Sequence, residues 1–401
     1  MQDIQNLDFL KLRLGWGRIG NDKVINNLFT TNMSTTNPTF ISYVLGTTQA
    51  LANGATVLTY ANKGGKWETT EQWNIGLDFG SFRGLLSGNV DLFLKDTKDA
   101  LLTVKGPAYI GNRWDAMANV GTVRNKGIEI SLDHKNTVGK MNYSLNGNVS
   151  FIKNELTALN GGEKVWGKDV HGDNTLLCDI GLPVYTIWGY VYEGIFASTE
   201  EAQNYKNSEG IVIQPGAAGG DAKFRDRNDD GIINDNDKTD IGNPFPWLTY
   251  GFSASMQYQG FDLQLFLQGI YGNKIFNEVL YRTQGKGEEA TLSTKMRDVW
   301  TTENKSGTIP NPFGSPNNTF ASSRFVENGS YLRLKNVQLG YTIPKKATQK
   351  FLVDKLRIYV SANNLLTFTN YTGYDPEVGG GVDFGNYPQA RTFMVGANIS
   401  F

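Results

Sequence analysis

Apolar and polar residues alternate with a period of two along ten separate segments of this chain. Leu10, Leu12, Leu14 and Trp16 share one face against Lys11, Arg13 and Gly15. Trp73, Ile75, Leu77 and Phe79 oppose Asn74, Gly76 and Asp78. The same pattern recurs at 90–95, 128–133, 143–151, 248–258, 261–268, 332–341 and 356–363. A phase slip near Lys335–Asn336 predicts a β-bulge. The tenth segment reads FMVGANISF from Phe393 to Phe401. Phe393, Val395, Ala397, Ile399 and Phe401 fall on one side, and Met394, Gly396, Asn398 and Ser400 on the other. A period-two strand that ends on an aromatic ring is what the closing strand of an outer-membrane β-barrel requires. Its apolar side meets lipid, its small and polar side meets the lumen, and the last ring sits at the interface. Phe393 and Phe401 are accordingly expected to mark barrel closure and assembly.

The connections between segments alternate in length. Short ones fall at 80–84, 135–140, 259–260 and 344–355, and long ones at 21–66, 105–118, 159–246, 272–328 and 371–390. Transmembrane barrels pair short periplasmic turns with long extracellular loops. The parity closes if the first strand runs outward and Phe401 ends in the periplasm. Thr186–Phe196 also alternates, but as a further crossing it would break the parity, so it is assigned to the extracellular excursion of residues 159–246. Phe79, Tyr143, Tyr258, Phe261, Tyr341 and Phe401 lie in the outward phase near the short turns, as an interfacial aromatic girdle would. A soluble sandwich or propeller also alternates. Strands near the 9–11 residues a bilayer needs, small and amide inward faces, and strict loop alternation favour the barrel.

Composition agrees. The 401 residues include 46 Gly, 8 Trp, 18 Tyr and 22 Phe, which suits strands and turns better than helices. Charges nearly cancel, at 38 basic against 39 acidic, so no basic surplus points to nucleic acid. Cys178 is the single cysteine, which rules out an intrachain disulfide, and it is expected to be inert. No run of about 18 apolar residues suggests a membrane helix. The opening MQDIQNLDFLKLRLGW lacks the features of a signal peptide, so an exported protein is expected to have further residues upstream.

One motif carries metal chemistry. Asp226 to Asp237, DRNDDGIINDND, matches the start of a calcium loop. Asp226, Asn228 and Asp230 would supply side-chain oxygens, Ile232 its carbonyl, Asn234 a water-mediated contact and Asp237 the final carboxylate. Gly231 would permit the sharp turn and Ile233 would pack inward. Asp237, where an EF-hand has Glu, resembles the dockerin type of loop. The competing reading is an Asx-rich turn without metal. Calcium, if bound, would be structural.

Catalytic patterns are missing. His134, at the start of a short turn, and His171, in a Gly/Asp-rich loop, have no partner at useful spacing and read as solvated loop residues. Asp78, Asp91 and Glu129 lie on different strands and read as lumen wall, not as paired glycosidase carboxylates. Trp114, Trp166, Trp188, Tyr190, Tyr271, Tyr371 and Tyr374 are the aromatics that could stack on a ligand or a lid protein, with loop packing as the alternative. Ser293–Asn304 reads as a short helix with Met296 and Trp300 on one face.

Six stretches carry a wider resemblance: LKLRLGWGRIGN (10–21), GYVYEGIF (189–196), the segment 220–253, YLRLKNVQLGYTIP (331–344), RIYVSANNLLTFTNYTGYDPEV (357–378) and the closing strand. Together they resemble the SusC/RagA family of TonB-linked outer-membrane proteins, in the family's order and over nearly the whole chain. The resemblance implies an all-β fold, an antiparallel transmembrane barrel whose ten strands here form the C-terminal part of a 22-stranded whole. It implies residence in the outer membrane of a Gram-negative bacterium. It further implies import of oligosaccharides or oligopeptides, energy from the TonB system acting through an N-terminal part, a SusD-like surface lipoprotein as lid, and the barrel assembly machinery as a folding partner. The other function class is a passive pore or surface-binding barrel without energy coupling; an enzyme is not expected.

Overall fold

The computed structural model describes residues 6–22, 28–35, 42–59, 61–104, 116–161, 163–167, 169–170, 173–284 and 291–401. Ten long strands dominate it: β1 (Leu7–Asn21), β2 (Glu68–Ser81), β3 (Leu86–Val104), β4 (Ala116–Val138), β5 (Met141–Leu159), β6 (Leu248–Tyr258), β7 (Phe261–Tyr271), β8 (Tyr331–Ile343), β9 (Lys355–Thr369) and β10 (Thr392–Ser400). They form one sheet in chain order, each antiparallel to the next, with β1 and β10 at its two edges. Each of the ten alternating segments is therefore one strand. Thr186–Gly189 and Tyr192–Ile195 are short strands outside this sheet, as parity requires.

Alternation sorts the faces. Leu12, Leu14, Trp16, Trp73 and Ile75 stand exposed on the outer side, and Trp16 lies opposite Trp73 with ring centroids 6.1 Å apart. Such a surface is stable only against lipid, since a soluble protein does not expose an apolar band of this extent. The predicted bulge is present. Phe266 faces Asn336 while Leu267 faces Leu334, which leaves Lys335 as the extra residue. β9 has its own irregularity at the same level, with Asn364 at φ +51°. Gln259 and Gly260 join β6 to β7 with φ of +49° and +90°, the left-handed pair that a two-residue hairpin needs.

Three local expectations change. β4 runs on to Val138, so His134 is a strand residue and not a loop residue. Its imidazole pairs with the Tyr143 hydroxyl at 3.0 Å. The regular strand ends at Ser400, one residue before Phe401. Of 293–304 only Thr294–Asp298 is helical, as a 3₁₀ turn. Trp300 lies beyond it, buried against Gly219 and Gly220, so it does not share a helix face with Met296.

The long connections build a second layer at one end of the sheet. Its main apolar cluster holds Val170, Leu176, Ile187, Phe276, Tyr281, Ala321, Phe325 and Val382. A second cluster joins Leu102, Leu156 and Leu159, at the far ends of β3 and β5, to Val165, Cys178 and Val184 of the following loop. Those strands have 19 residues each, well beyond a membrane span, and the excess is what this layer packs on. Burial raises the Cys178 thiol pKa, in keeping with an inert core cysteine.

Candidate functional site

The inward face of the sheet is a wall of mutually satisfied polar groups. Arg13 donates to both carboxylate oxygens of Asp78 and, from Nη2, to Asp91, all at 2.8 Å. Arg357 donates to Asp262 at 2.8 Å, and Asn146 to Asp133 at 3.0 Å. Ser150 donates to Glu129 at 3.3 Å. Asp78, Asp91 and Glu129 are thus bonded to neighbouring strands, with none of the isolated pairing that acid–base hydrolysis uses. Gly340 makes room for one of these bridges: a Cβ there would lie 2.4 Å from Asp262 Oδ2 and 2.6 Å from Arg357 Nη2.

Toward the long-loop end the wall grips a loop. Arg333, inward on β8 and 2% exposed, donates to Thr367 at 2.8 Å, to Asp375 at 2.7 Å and to Glu377 at 2.6 Å. Lys335 reaches Glu377 at 3.2 Å, and the Tyr331 hydroxyl donates to Glu377 at 2.9 Å. Burial by itself would push the Asp375 carboxyl up. The N–H groups of Gln389 and Glu377 and the Arg333 guanidinium outweigh it and hold the pKa below the usual range. These bonds draw residues 370–391 against the inner wall. Within that loop the Tyr371 hydroxyl donates to Asp383 at 2.6 Å, and burial together with Asp383 drives its pKa upward. Val382–Asp383 then pairs in parallel with Phe276–Asn277, whose strand also pairs with Val326–Asn328. Two long loops are thereby joined by one backbone ladder. Asp221 ties in a third: it accepts from Asn318 at 2.7 Å and from the Ser315 N–H at 2.8 Å.

A cleft of about 570 Å³ opens among these loops. Its lining includes Trp166, Tyr185, Val382, Phe384, Asn386 and the Gly379–Gly380 backbone. Aromatic faces beside an amide and an uncovered peptide backbone can hold an amphipathic oligomer by stacking and hydrogen bonding. Of the aromatics singled out from the sequence, Trp166 is the one that lines it. Trp188 is half-buried with Lys164 over its ring at 5.5 Å. Tyr190 is buried and stacks on Phe320 at 4.7 Å. Tyr371 is buried in its own loop, while Tyr374 is exposed. Tyr271 is exposed in the outward phase of β7 and packs edge-on against Trp247 at 5.5 Å, which makes it part of an outer aromatic rim. Trp114 and His171 lie outside the described residues. Tyr185, Phe384 and Asn386 were missed; the Gly379–Gly381 run was the available signal for a loop with open backbone.

Comparison with known proteins identifies this architecture. The model of the TonB dependent receptor-like β-barrel family matches residues 5–365. The chain belongs to that family. It is 30% identical to TonB-dependent receptor P3 of Formosa agariphila and 28% identical to TonB-dependent receptor SusC of Bacteroides thetaiotaomicron. Both alignments cover all of this chain but 40% and 38% of the relatives. The receptor barrel also superposes on the structure of the RagAB peptide transporter with a TM-score of 0.80 at 25% identity, covering all of this chain and 42% of that one. The ten-stranded sheet is thus barrel wall of an outer-membrane protein, with the loop layer at one end of it. The chain spans about two fifths of the length of these relatives.

The receptor barrel carries the sequence-predicted calcium loop on this outer layer. The turn has the expected shape: Gly231 takes φ +80°, and the Asp226 carboxylate accepts from the Gly231 and Asp229 N–H groups at 2.8 and 2.7 Å. Ile233 packs against Tyr190, Ala222 and Phe224, as its position implied. Asp237 is fully buried and accepts from Arg227 and Asn234 N–H at 2.8 Å each. Asn228 donates to Asp230 at 2.8 Å, and Asn234 caps the turn through the Asn236 N–H. Ile232 is exposed. Among the described residues no three acidic, histidine or cysteine side chains converge on a metal-sized point. The turn is held by its own hydrogen bonds.

Proposed function

We propose that this chain is the outer, ligand-receiving part of an energy-coupled importer of oligomeric nutrients, either oligopeptides or oligosaccharides. The observation that carries this is the loop assembly, which is drawn inward by Arg333 and has the Trp166–Tyr185–Phe384 cleft among its strands. A bare pore needs neither. Its likeness to SusC and to the RagAB peptide transporter supports the same reading. We further propose that a SusD-like lipoprotein covers the extracellular end. TonB contact would be made by sequence that the relatives have beyond these 401 residues. No catalytic role is proposed. The exposed β10, with Phe393 and Phe401, is proposed as the segment the assembly machinery reads.

The test uses the protein in the longest form its gene encodes, in its native membrane. Uptake of labelled oligopeptide and oligosaccharide mixtures is measured with and without a protonophore. The proposal requires uptake of one class, its collapse with the protonophore, and a fall of ten-fold or more in Trp166→Ala/Phe384→Ala at unchanged barrel abundance (roughly the loss of two stacked rings). Protonophore-insensitive uptake would select the passive pore. Structural calcium at Asp226–Asp237 is a second proposal, supported by the preformed Gly231 turn. Calorimetry with EGTA and calcium tests it. A rise in the loop-layer melting step with calcium, abolished by Asp230→Ala, supports it, and no heat at millimolar calcium removes it.

A further inference from the structure

Among the described residues, every buried or half-buried arginine but one is paired with a carboxylate. Arg13, Arg124, Arg282, Arg333 and Arg357 all have such partners. The exception is Arg324, on the short 3₁₀ turn Ser323–Phe325 of the loop layer. Its Nη2 donates to the Gln284 carboxamide oxygen at 3.2 Å, and its guanidinium lies over the Phe325 ring at 4.8 Å. Burial pulls its pKa down to about 10, opposed by the Tyr192 phenol; among the described residues no carboxylate contributes. A desolvated cation without a counter-charge costs the fold stability. Neither a neutral amide nor a ring supplies the missing negative charge.

The surroundings define what fits there. The Tyr192 phenol is close enough for it and the guanidinium to act on each other, and its hydroxyl has no hydrogen-bond partner among the described residues. The Tyr192 N–H donates to Ser323 Oγ at 3.0 Å, which ties the strand bearing the phenol to the turn bearing the guanidinium. Gln284 is buried and holds the guanidinium from one side. Arg324 and Tyr192 are each only half-buried, so a solute can reach them. No second cation among the described residues acts on Arg324, so the place carries one positive charge and suits a monoanion. The guanidinium fork keeps donors beyond the one given to Gln284 and matches the two oxygens of a carboxylate.

We propose that Arg324, with Tyr192 beside it, binds a carboxylate of the imported oligomer. The inference rests on the import reading above and narrows it: the substrate carries acidic units, as Asp or Glu side chains of a peptide or as uronates of a glycan. The cleft at Trp166, Tyr185 and Phe384 has no charged side chain in its lining, so it can select for rings and amides but not for charge. Arg324 supplies that second criterion. The two places share a support, since Phe325 beside Arg324 belongs to the same apolar cluster as Leu176 and Val382 of the cleft.

The experiment uses the full-length protein purified in non-ionic detergent, with affinity read by calorimetry. The probes are two matched pairs: C-terminally amidated triglutamate against triglutamine, and trigalacturonate against its methyl ester. Wild type should bind the acidic member of one pair about 10- to 100-fold more tightly than its neutral partner. The pair that responds tells peptide from glycan. Arg324→Gln should lose this preference and still bind the neutral member as wild type does, whereas a merely structural arginine would weaken both alike. Arg324→Lys should keep part of the preference. Without probe, Arg324→Gln should show unchanged heat-modifiable migration and a loop-layer melting step no lower than that of wild type. No binding of either acid, equal binding within both pairs, a preference that survives Arg324→Gln, or a lowered melting step would each overturn the proposal. So would a gain of about ten-fold in acid binding by Glu288→Gln/Glu289→Gln, which would assign the guanidinium to the chain's own carboxylates. Binding is read apart from uptake: protonophore-insensitive uptake removes the import reading and leaves this site, and a lost preference removes this site and leaves import.

Discussion

Replacing Arg333 with Met should release the loop that lies over the inner wall without unfolding the wall. The guanidinium is buried and makes three side-chain bonds, to Thr367, Asp375 and Glu377. Removing one member of a buried ion cluster strands its partners, at about 3–5 kcal/mol. Two features lower the figure here. Asp375 keeps its bonds from the Gln389 and Glu377 N–H groups, and Glu377 keeps Lys335. About 3 kcal/mol is therefore expected, or roughly 150-fold in the equilibrium between docked and released loop. Hydrogen exchange should show protection lost across residues 370–391 and, through the shared ladder, across 274–277. Strands β8 and β9 should exchange as before, and heat-modifiable migration should be unchanged. Wild type should reproduce the release in acid. The Asp375 pKa is held below its unfolded value, so its contribution is complete above about pH 4 and is lost as the pH falls through that lowered pKa. Protection of 370–391 that is equal in Arg333→Met and wild type at neutral pH would refute the latch. So would a single melting step that takes wall and loop together.

Other substitutions separate the faces and layers. Leu14→Arg, central on the lipid side of β1, should destabilise the folded barrel by about 2–4 kcal/mol in urea titrations in lipid, whereas Ser253→Lys on the inward face should cost little. Gly340→Val should drive a methyl group into the Arg357–Asp262 bridge and cost about 1–3 kcal/mol by the same titration. Phe325→Ala removes a fully buried ring that packs edge-on against Tyr281 at 5.0 Å. It should cost about 3–5 kcal/mol in the loop layer alone, seen as new protease cuts within 272–330 while gel migration of the barrel is unchanged.

The wall was legible because its solvent imposes a rule. A strand with lipid on one side and water on the other must alternate, and it does so from Leu10 to Trp16 and from Phe393 to Ile399 without reference to any other segment. Even the bulge at Lys335 shows as a broken alternation. The loop layer obeys no such local rule. Asp221 and Asn318 meet across 97 positions, and Phe276 meets Val382 across more than a hundred, so nothing near either residue announces the contact. Loop aromatics were equally ambiguous one by one. Tyr190 and Tyr371 went into loop cores, Tyr271 joined the outer rim, and of the described aromatics singled out from the sequence Trp166 alone lines the cleft. His134 was misplaced for a simpler reason. β4 continues past the last clear alternation because its backbone ladder with β5 runs on to Val138 opposite Met141.

The parallel pairing of Phe276–Asn277 with Val382–Asp383 has a consequence for how such a protein can diversify. The ladder fixes the roots of two loops to each other and leaves exposed stretches beyond them. Residues can be inserted or lost at exposed stretches such as 301–303 or 386–388 with the junction intact. A change inside the junction would unseat both loops at once. Variation in what is captured can therefore accumulate at those stretches, above a fixed two-loop frame.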